Sequence, residues 1–253
     1  MKHTHLSFSA CGFLGIYHLG AATMLCMRGR DLLRDITGFA GASAGALVAA
    51  VLLTAPERLE ECTRFVFAFA EETRTQALGP VTPGYDFMAR LRGGIDSVLP
   101  QHAHTLARGR LHVSVTSMAD GKNCLVSSFT SRDDLITVLL ASCFIPVYAG
   151  LESVEYAGQR WMDGGFTDSL PVLPMGRTLT FSPFSGRADV SPWDPGWPGM
   201  CVRLAKQDVT VSMANLVRVW QMLFPPGRQM MEAIYCRGMI DTARFLRREC
   251  WHQ

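Results

Sequence analysis

Three short segments of this chain carry groups suited to acyl transfer. The first is Gly41-Ala42-Ser43-Ala44-Gly45, a G-x-S-x-G pattern between a strand-like run and a helix-like run. There it describes a tight strand-to-helix turn that presents the Ser43 hydroxyl as a nucleophile, with Gly41 and Gly45 kept small because bulk would clash. The Ala44 amide then points into the site, and the positive end of the following helix favours negative charge developing there. The second is Trp161-Met162-Asp163-Gly164-Gly165. It puts a carboxylate at a strand end, and Gly164 and Gly165 let the turn approach another loop, so Asp163 is placed to take the Ser43 proton directly. The third is Ala10-Cys11-Gly12-Phe13-Leu14-Gly15, a glycine-containing loop at a helix N-terminus whose amides could receive an oxyanion.

Each segment also has a purely architectural reading. G-x-S-x-G serves as a small-residue turn that packs a helix on a sheet, and Asp-Gly is a common hairpin turn. The loop at residues 10–15 is not G-x-G-x-x-G, because Ala10 replaces the first glycine, and no acidic residue is placed for a ribose, so a dinucleotide site is disfavoured. A Ser…Asp…His order also fits poorly. Of the seven histidines, only His252 follows Asp163, next to the last residue, and a chain terminus is a poor mount for a general base.

The elements that must position these groups alternate. Strands are expected at 4–10, 36–42, 111–115, 124–130, 154–162 (one or two short strands), 177–182 and 200–204. Helices are expected to about Gly29, through Leu53, over 56–76 with Thr54 as cap, over 84–99, from a Ser131 capping box toward Ala141, and over 208–223 and 228–248. Residues 191–199 read as a loop. Strands alternating with helices argue for one α/β domain whose mostly parallel sheet is covered on both faces. The division expected is residues 1–205 as catalytic domain and 206–253 as a helical extension on the same domain. Met-rich faces on the two last helices would suit a lipid surface, but most of their apolar positions read as core-facing, and Trp193 and Trp197, in a Pro-rich loop, are the better interfacial candidates.

Composition narrows the function classes. Apolar residues are 48% and charged residues 18% of 253, with a mean hydropathy of +0.14, which excludes disorder as the main state. A net charge of +2 gives no footprint for nucleic acid. None of the eight cysteines forms C-x-x-C or zinc-finger spacing, so no metal or cofactor is expected, and free thiols in a reducing, intracellular compartment are. Residues 3–27 and 36–56 lack Asp, Glu, Lys and Arg, long enough to span a bilayer. The period-two run Leu6-Ser7-Phe8-Ser9 and the Ala/Gly content argue instead for strand-turn-helix units, with no transmembrane span.

Taken together and in this order, the three segments resemble the patatin-like phospholipase domain family. The supporting blocks are Leu6 to Ser9, Ala141-Ser142-Cys143-Phe144-Ile145-Pro146 and Asp163 through Pro171. Residues 13–20 and 81–85 look like its adiponutrin branch, and the likeness covers nearly the whole chain. It implies a three-layer α/β/α sandwich with a mostly parallel central sheet. It also implies Ser43 as nucleophile, Asp163 as its sole catalytic partner, and the amides of Cys11, Gly12 and Ala44 as oxyanion donors, with Gly15, Gly41, Gly45, Gly164 and Gly165 as structural positions of the motifs. Lipid ester substrates follow (triacylglycerols, retinyl esters, phospholipids), by hydrolysis or transacylation, with peripheral contact to a lipid surface and a cytoplasmic, lipid-droplet or mitochondrial setting. The other function class on the same fold is a non-catalytic lipid-binding scaffold. Three positions depart from the family pattern: Ala10 for the usual glycine, Leu14 for a basic residue of plant-type members, and Ser169 for asparagine.

Overall fold

Residues 3–194 and 200–251 are described in the computed structural model of the chain. In chain order the elements are β1 (Thr4–Phe8), a 3-10 turn (Gly12–Leu14), α1 (Gly15–Arg28), α2 (Arg30–Asp35), β2 (Ile36–Ala42), α3 (Ala44–Thr54), α4 (Leu59–Thr75), α5 (Phe87–Val98), α6 (Ala103–Ala107), β3 (Leu111–Ser117), β4 (Asn123–Val126), α7 (Arg132–Cys143), β5 (Val154–Tyr156), β6 (Gln159–Asp163), β7 (Arg177–Phe181), β8 (Cys201–Leu204), β9 (Gln207–Thr210), α8 (Met213–Leu223) and α9 (Arg228–Arg248). The expected α/β/α sandwich is observed. Its central array β7-β1-β2-β3 is parallel, and β4 and the β6-β5 ladder extend it antiparallel.

The register of β3 brings the two halves of the site together. β2 pairs with β3 up to Ala42 opposite Ser114, and β6 pairs with β3 from Asp163 opposite Val115. β4 pairs with Val113 to Thr116, overlapping both. A strand has only two edges, so β2 and β6 must share the edge opposite β4. They run toward each other along it, and their C-terminal ends abut. Ser43 follows the last residue of β2, and Asp163 is the last residue of β6. Two segments 120 positions apart in sequence therefore meet end to end.

Burial follows the sequence pattern. Strand residues Leu6, Phe8, Leu111 and Val113 are fully inaccessible, and α3 is apolar and buried nearly all round, as expected for a helix between a sheet and its neighbours. The two charge-free stretches are thus β1-turn-α1 and β2-turn-α3, and no described helix is long and apolar enough to cross a membrane. α9 docks on α1 where two glycines admit the opposing backbone. A Cβ at Gly20 would overlap the Tyr235 carbonyl, and one at Gly238 the Tyr17 carbonyl. Two side-chain bonds lock the pair, Tyr17 Oη to Asp241 Oδ2 at 3.0 Å and Tyr235 Oη to Thr23 Oγ1 at 2.9 Å.

Several expectations need correction. Thr54 does not cap the next helix: it ends α3 and its hydroxyl donates back to the Ala50 carbonyl at 2.8 Å, a local bond open to threonine in a helix. Ser131 does cap α7, its Oγ accepting from Asp134 N. The strand expected at 124–130 is the shorter β4. The helix expected from 208 starts at Met213, because residues 207–210 form the second strand of a hairpin with β8. The apolar residues of α8 are not all core-facing: Met213, Leu216, Val217 and Trp220 are more than half exposed. Trp193 is 73% exposed, and Trp197 lies outside the described residues.

Candidate active site

Ser43 sits at φ 54°, ψ −131°, a left-handed conformation that costs a non-glycine residue roughly 1–3 kcal/mol and persists only where the surroundings enforce it. Those surroundings are visible. The Ser43 amide donates to Ser142 Oγ at 2.8 Å, and Ser142 Oγ donates to the Ser114 carbonyl at 2.7 Å. Ser142 thus bridges the gap where the β2–β3 ladder stops. A Cβ at Gly41 would lie 2.6 Å from Ala46 N, and one at Gly45 would lie 2.5 Å from the Ser9 carbonyl oxygen and overlap that of Phe8. Both glycines are therefore demanded by backbone contact, as the motif implied.

Asp163 is held from several sides. Its amide donates to the Phe144 carbonyl at 2.8 Å, its carbonyl accepts from Thr116 Oγ1 at 2.8 Å, and its Oδ1 accepts from the Gly165 amide at 2.6 Å. Gly164 passes so close to Ser114 that a Cβ would overlap the Ser114 carbonyl. The side chain is only 3% exposed. Burial therefore pushes its pKa from 3.8 up to about 7, against the opposing pull of hydrogen bonds from the Ser43 side chain and the Gly165 amide. Ionising a carboxylate here is costly because little else solvates it.

Opposite the pair lies the loop after β1. Gly12 has φ +51°, and a Cβ there would overlap the Met222 carbonyl of α8. Gly15 faces Ala44, where a Cβ would come within 3.0 Å of the Ala44 Cβ. Among the described residues none accepts a hydrogen bond from the amides of Cys11, Gly12 or Ala44, and all three line the same cavity as Ser43 and Asp163. Unpaired amides near a nucleophile suit an oxyanion. The loop is braced behind by His18, whose Nε2 donates to the Ser9 carbonyl at 3.0 Å. Burial lowers the His18 pKa to about 4, so this ring is neutral at physiological pH.

The cavity measures about 420 Å³ and is walled almost wholly by apolar side chains, among them Val51, Phe65, Phe69, Leu91 and Ile95. At its floor the thiols of Cys11 and Cys143 lie beside Asp163. Burial, and then the Asp163 charge, raise both well above an ordinary cysteine, which leaves them as protonated, non-nucleophilic wall groups. Leu14, where a basic residue was the alternative, is 1% exposed, so a charge there would be buried. Ala10 packs against Gly165, where a Cβ would come within 2.8 Å of its own. The Ser169 hydroxyl donates to Gln207 Oε1 at 3.2 Å, tying the Asp-Gly-Gly loop to the hairpin.

The structure thus places Ser43, Asp163, Cys11, Gly12, Ala44, Gly15 and Gly165 around one cavity, with Gly41, Gly45 and Gly164 in close backbone contact beside it. It adds a set that sequence reasoning missed: Ser142, Ser114, Thr116 and Asn123. Asn123 Nδ2 donates to Ser114 Oγ at 2.8 Å, and Ser114 Oγ donates to the Asp168 carbonyl at 2.9 Å. The block Ala141–Pro146 was a signal for Ser142 but carried no role. Among the described residues no group of three or more His, Cys, Asp or Glu side chains is placed to hold a metal.

Comparison with known proteins agrees with this architecture. A family model described as patatin-like phospholipase matches residues 6–175. Patatin-like phospholipase domain-containing protein 4 of Homo sapiens is 61% identical over 253 residues, covering 100% of both chains. Patatin-like phospholipase domain-containing protein 2 of Rattus norvegicus is 38% identical over 244 residues, with 96% of this chain matching 51% of the relative. A 1-acylglycerol-3-phosphate O-acyltransferase of Mus musculus is 36% identical over 241 residues, with 95% of this chain matching 58% of it.

Proposed function

Because the chain belongs to the patatin-like phospholipase family, we propose that it is a lipid acyl hydrolase and acyltransferase that works through Ser43 and Asp163. The observation that carries this reading is the end-to-end meeting of β2 and β6, which sets a strained serine against a buried carboxylate inside an apolar cavity.

The reaction proceeds in two steps. The Asp163 carboxylate accepts the Ser43 proton as Oγ attacks the ester carbonyl carbon. Negative charge moves onto the carbonyl oxygen, where the Cys11, Gly12 and Ala44 amides receive it, each donor worth about 3 kcal/mol of transition-state stabilisation. The ester C–O bond breaks, the leaving alcohol takes the proton from Asp163, and an acyl-serine remains. Water or a second alcohol then attacks that ester as Asp163 again takes the proton, the acyl–Oγ bond breaks, and Asp163 returns the proton to Ser43 Oγ, which gives hydrolysis or transacylation and restores the free serine. The cavity wall is nearly devoid of polar groups, so it suits long acyl chains. Triacylglycerols and retinyl esters are the substrates proposed, with phospholipids a further class. Eight unpaired cysteines fit an intracellular site of action, and the cytoplasm and its lipid droplets are the setting proposed.

A panel of these esters with wild type and Ser43→Ala tests the reading. Turnover of the preferred ester is expected to vanish in the variant, and full activity in Ser43→Ala would end the proposal.

A further inference from the structure

α8 has two apolar faces, and among the described residues one of them lines the cavity while the other is largely exposed, with the Trp220 ring stacked on Phe224 at 4.4 Å. Its inner side lines the cavity through Val219, Met222 and Leu223. Its outer side carries Met213, Leu216, Val217 and Trp220, exposed by 75%, 62%, 51% and 64%. Their spacing of three, four and seven places them in one stripe. A helix turned to water carries polar residues on that side, and a contiguous exposed apolar patch marks an interaction surface.

The helix cannot roll to bury this stripe, because its inner side is pinned. Asn215 Nδ2 donates to the Ser185 and Thr210 carbonyls at 2.9 and 2.8 Å, and Asn215 Oδ1 accepts from the Ser185 amide at 3.0 Å. At the other end Tyr148 Oη donates to the Leu223 carbonyl at 2.5 Å.

We propose that the outer face of α8, with the neighbouring β8–β9 hairpin, is the surface on which this protein docks to a phospholipid-coated lipid surface. The inference rests on the lipid-ester reading of the site and deepens it by assigning the route of substrate. Two observations select lipid as the occupant. First, the patch runs into the rim of the catalytic cavity: Phe166, Leu204 and Val219 each line the cavity and are 53%, 58% and 44% exposed. A protein seated there would close the mouth, whereas a lipid phase would feed it. Second, the charge fits. The carboxylates around the patch are neutralised by Asp194–Arg218, Asp208–Arg187 and Asp168–Lys206 pairs. Arg203 on the hairpin is exposed and pairs with no carboxylate among the described residues. The face is therefore apolar with a positive margin, the combination that favours a phosphate-bearing interface.

The test is flotation of the full chain with phosphatidylcholine vesicles containing one-fifth phosphatidylserine, and with triolein emulsion coated by the same lipids. Wild type, Ser43→Ala and Leu216→Glu/Trp220→Glu are compared, and turnover of a water-soluble short-chain ester is measured in parallel. Wild type and Ser43→Ala are expected to float. The double variant is expected to lose about tenfold or more of its bound fraction and of its emulsion turnover while keeping its soluble-ester turnover. Should the glutamate pair fail to fold, Leu216→Gln/Trp220→Gln is read the same way. A folded double variant that floats as wild type does, a wild type that does not float, or a wild-type dimer that the substitutions dissociate without any effect on flotation overturns the proposal. Failure of the acyl-transfer reading looks different: Ser43→Ala and wild type then float alike and turn over esters alike.

Discussion

Replacing Asp163 by asparagine should raise stability and abolish turnover, with both effects governed by one titration. The pKa of Asp163 is pushed from 3.8 to about 7, by burial first. The folded protein therefore holds the proton more tightly than the unfolded chain. Its contribution to stability is full below about pH 4, falls as pH rises toward 7, and levels off above that, because the unfolded carboxyl ionises first. At about 1.4 kcal/mol for each tenfold in proton affinity, the gap from 3.8 to about 7 amounts to about 4 kcal/mol, of which about 3 is lost between pH 5 and pH 8. Asparagine has no charge to strand, and its amide oxygen can still accept from the Gly165 amide. Urea unfolding of wild type and Asp163→Asn at pH 5 and pH 8 should show the variant gaining about 3 kcal/mol on wild type over that interval. Over the same interval wild-type kcat/KM on a soluble ester should rise about tenfold per pH unit and flatten above pH 7, since only the carboxylate takes the Ser43 proton. The variant should show no turnover at either pH. A stability difference that stays constant between pH 5 and pH 8, or a wild-type rate already flat at pH 5, refutes the reasoning. It would mean that the hydrogen bonds, not burial, govern Asp163.

Two further outcomes follow from contacts outside the reacting groups. Ser142→Ala leaves the Ser43 amide without its acceptor inside the protein, a cost of about 1–3 kcal/mol that falls on the strained elbow. kcat on a soluble ester should drop about tenfold to a hundredfold with KM unchanged, and an equal change in KM would show that Ser142 serves substrate binding instead. Gly238→Ala puts a methyl group against the Tyr17 carbonyl and should destabilise the α1–α9 contact by about 1–3 kcal/mol. Thermal unfolding should show this at unchanged kcat per folded molecule, and an unshifted midpoint would show that the helices can separate freely.

The elbow was legible in the sequence because its requirement is local. Gly41 and Gly45 are forced by atoms within a few residues of each other or by the adjacent strand, and such demands appear as a short pattern. The carboxylate was legible as a residue type before two glycines, but its meeting with Ser43 depends on β2 and β6 sharing one edge of β3, and no periodicity reports a pairing between strands so far apart in the chain. Ser142 was hidden for the same reason. Its value lies in the gap between two strand ends, and a serine near a helix terminus has many local roles. The division of α8 between an inner and an outer apolar side was illegible for another reason. An apolar stripe looks the same in sequence whether it faces a core or a lipid phase, and here the inner stripe of Val219, Met222 and Leu223 and the outer stripe of Leu216 and Trp220 share one helix. The strand Gln207–Thr210 overlaps the start of the helix expected from 208, because a four-residue strand is too short to show its period against a helical neighbour.

The central claim is that Ser43 alone carries the acyl group and Asp163 alone takes its proton. Its most direct test is covalent labelling with a fluorophosphonate, followed by peptide mass analysis. One label per chain on the peptide bearing Ser43, none in Ser43→Ala, and a rate slowed about a hundredfold or more in Asp163→Asn would support it. Labelling of any other residue at the wild-type rate, or of Ser43 at an undiminished rate in Asp163→Asn, would contradict it.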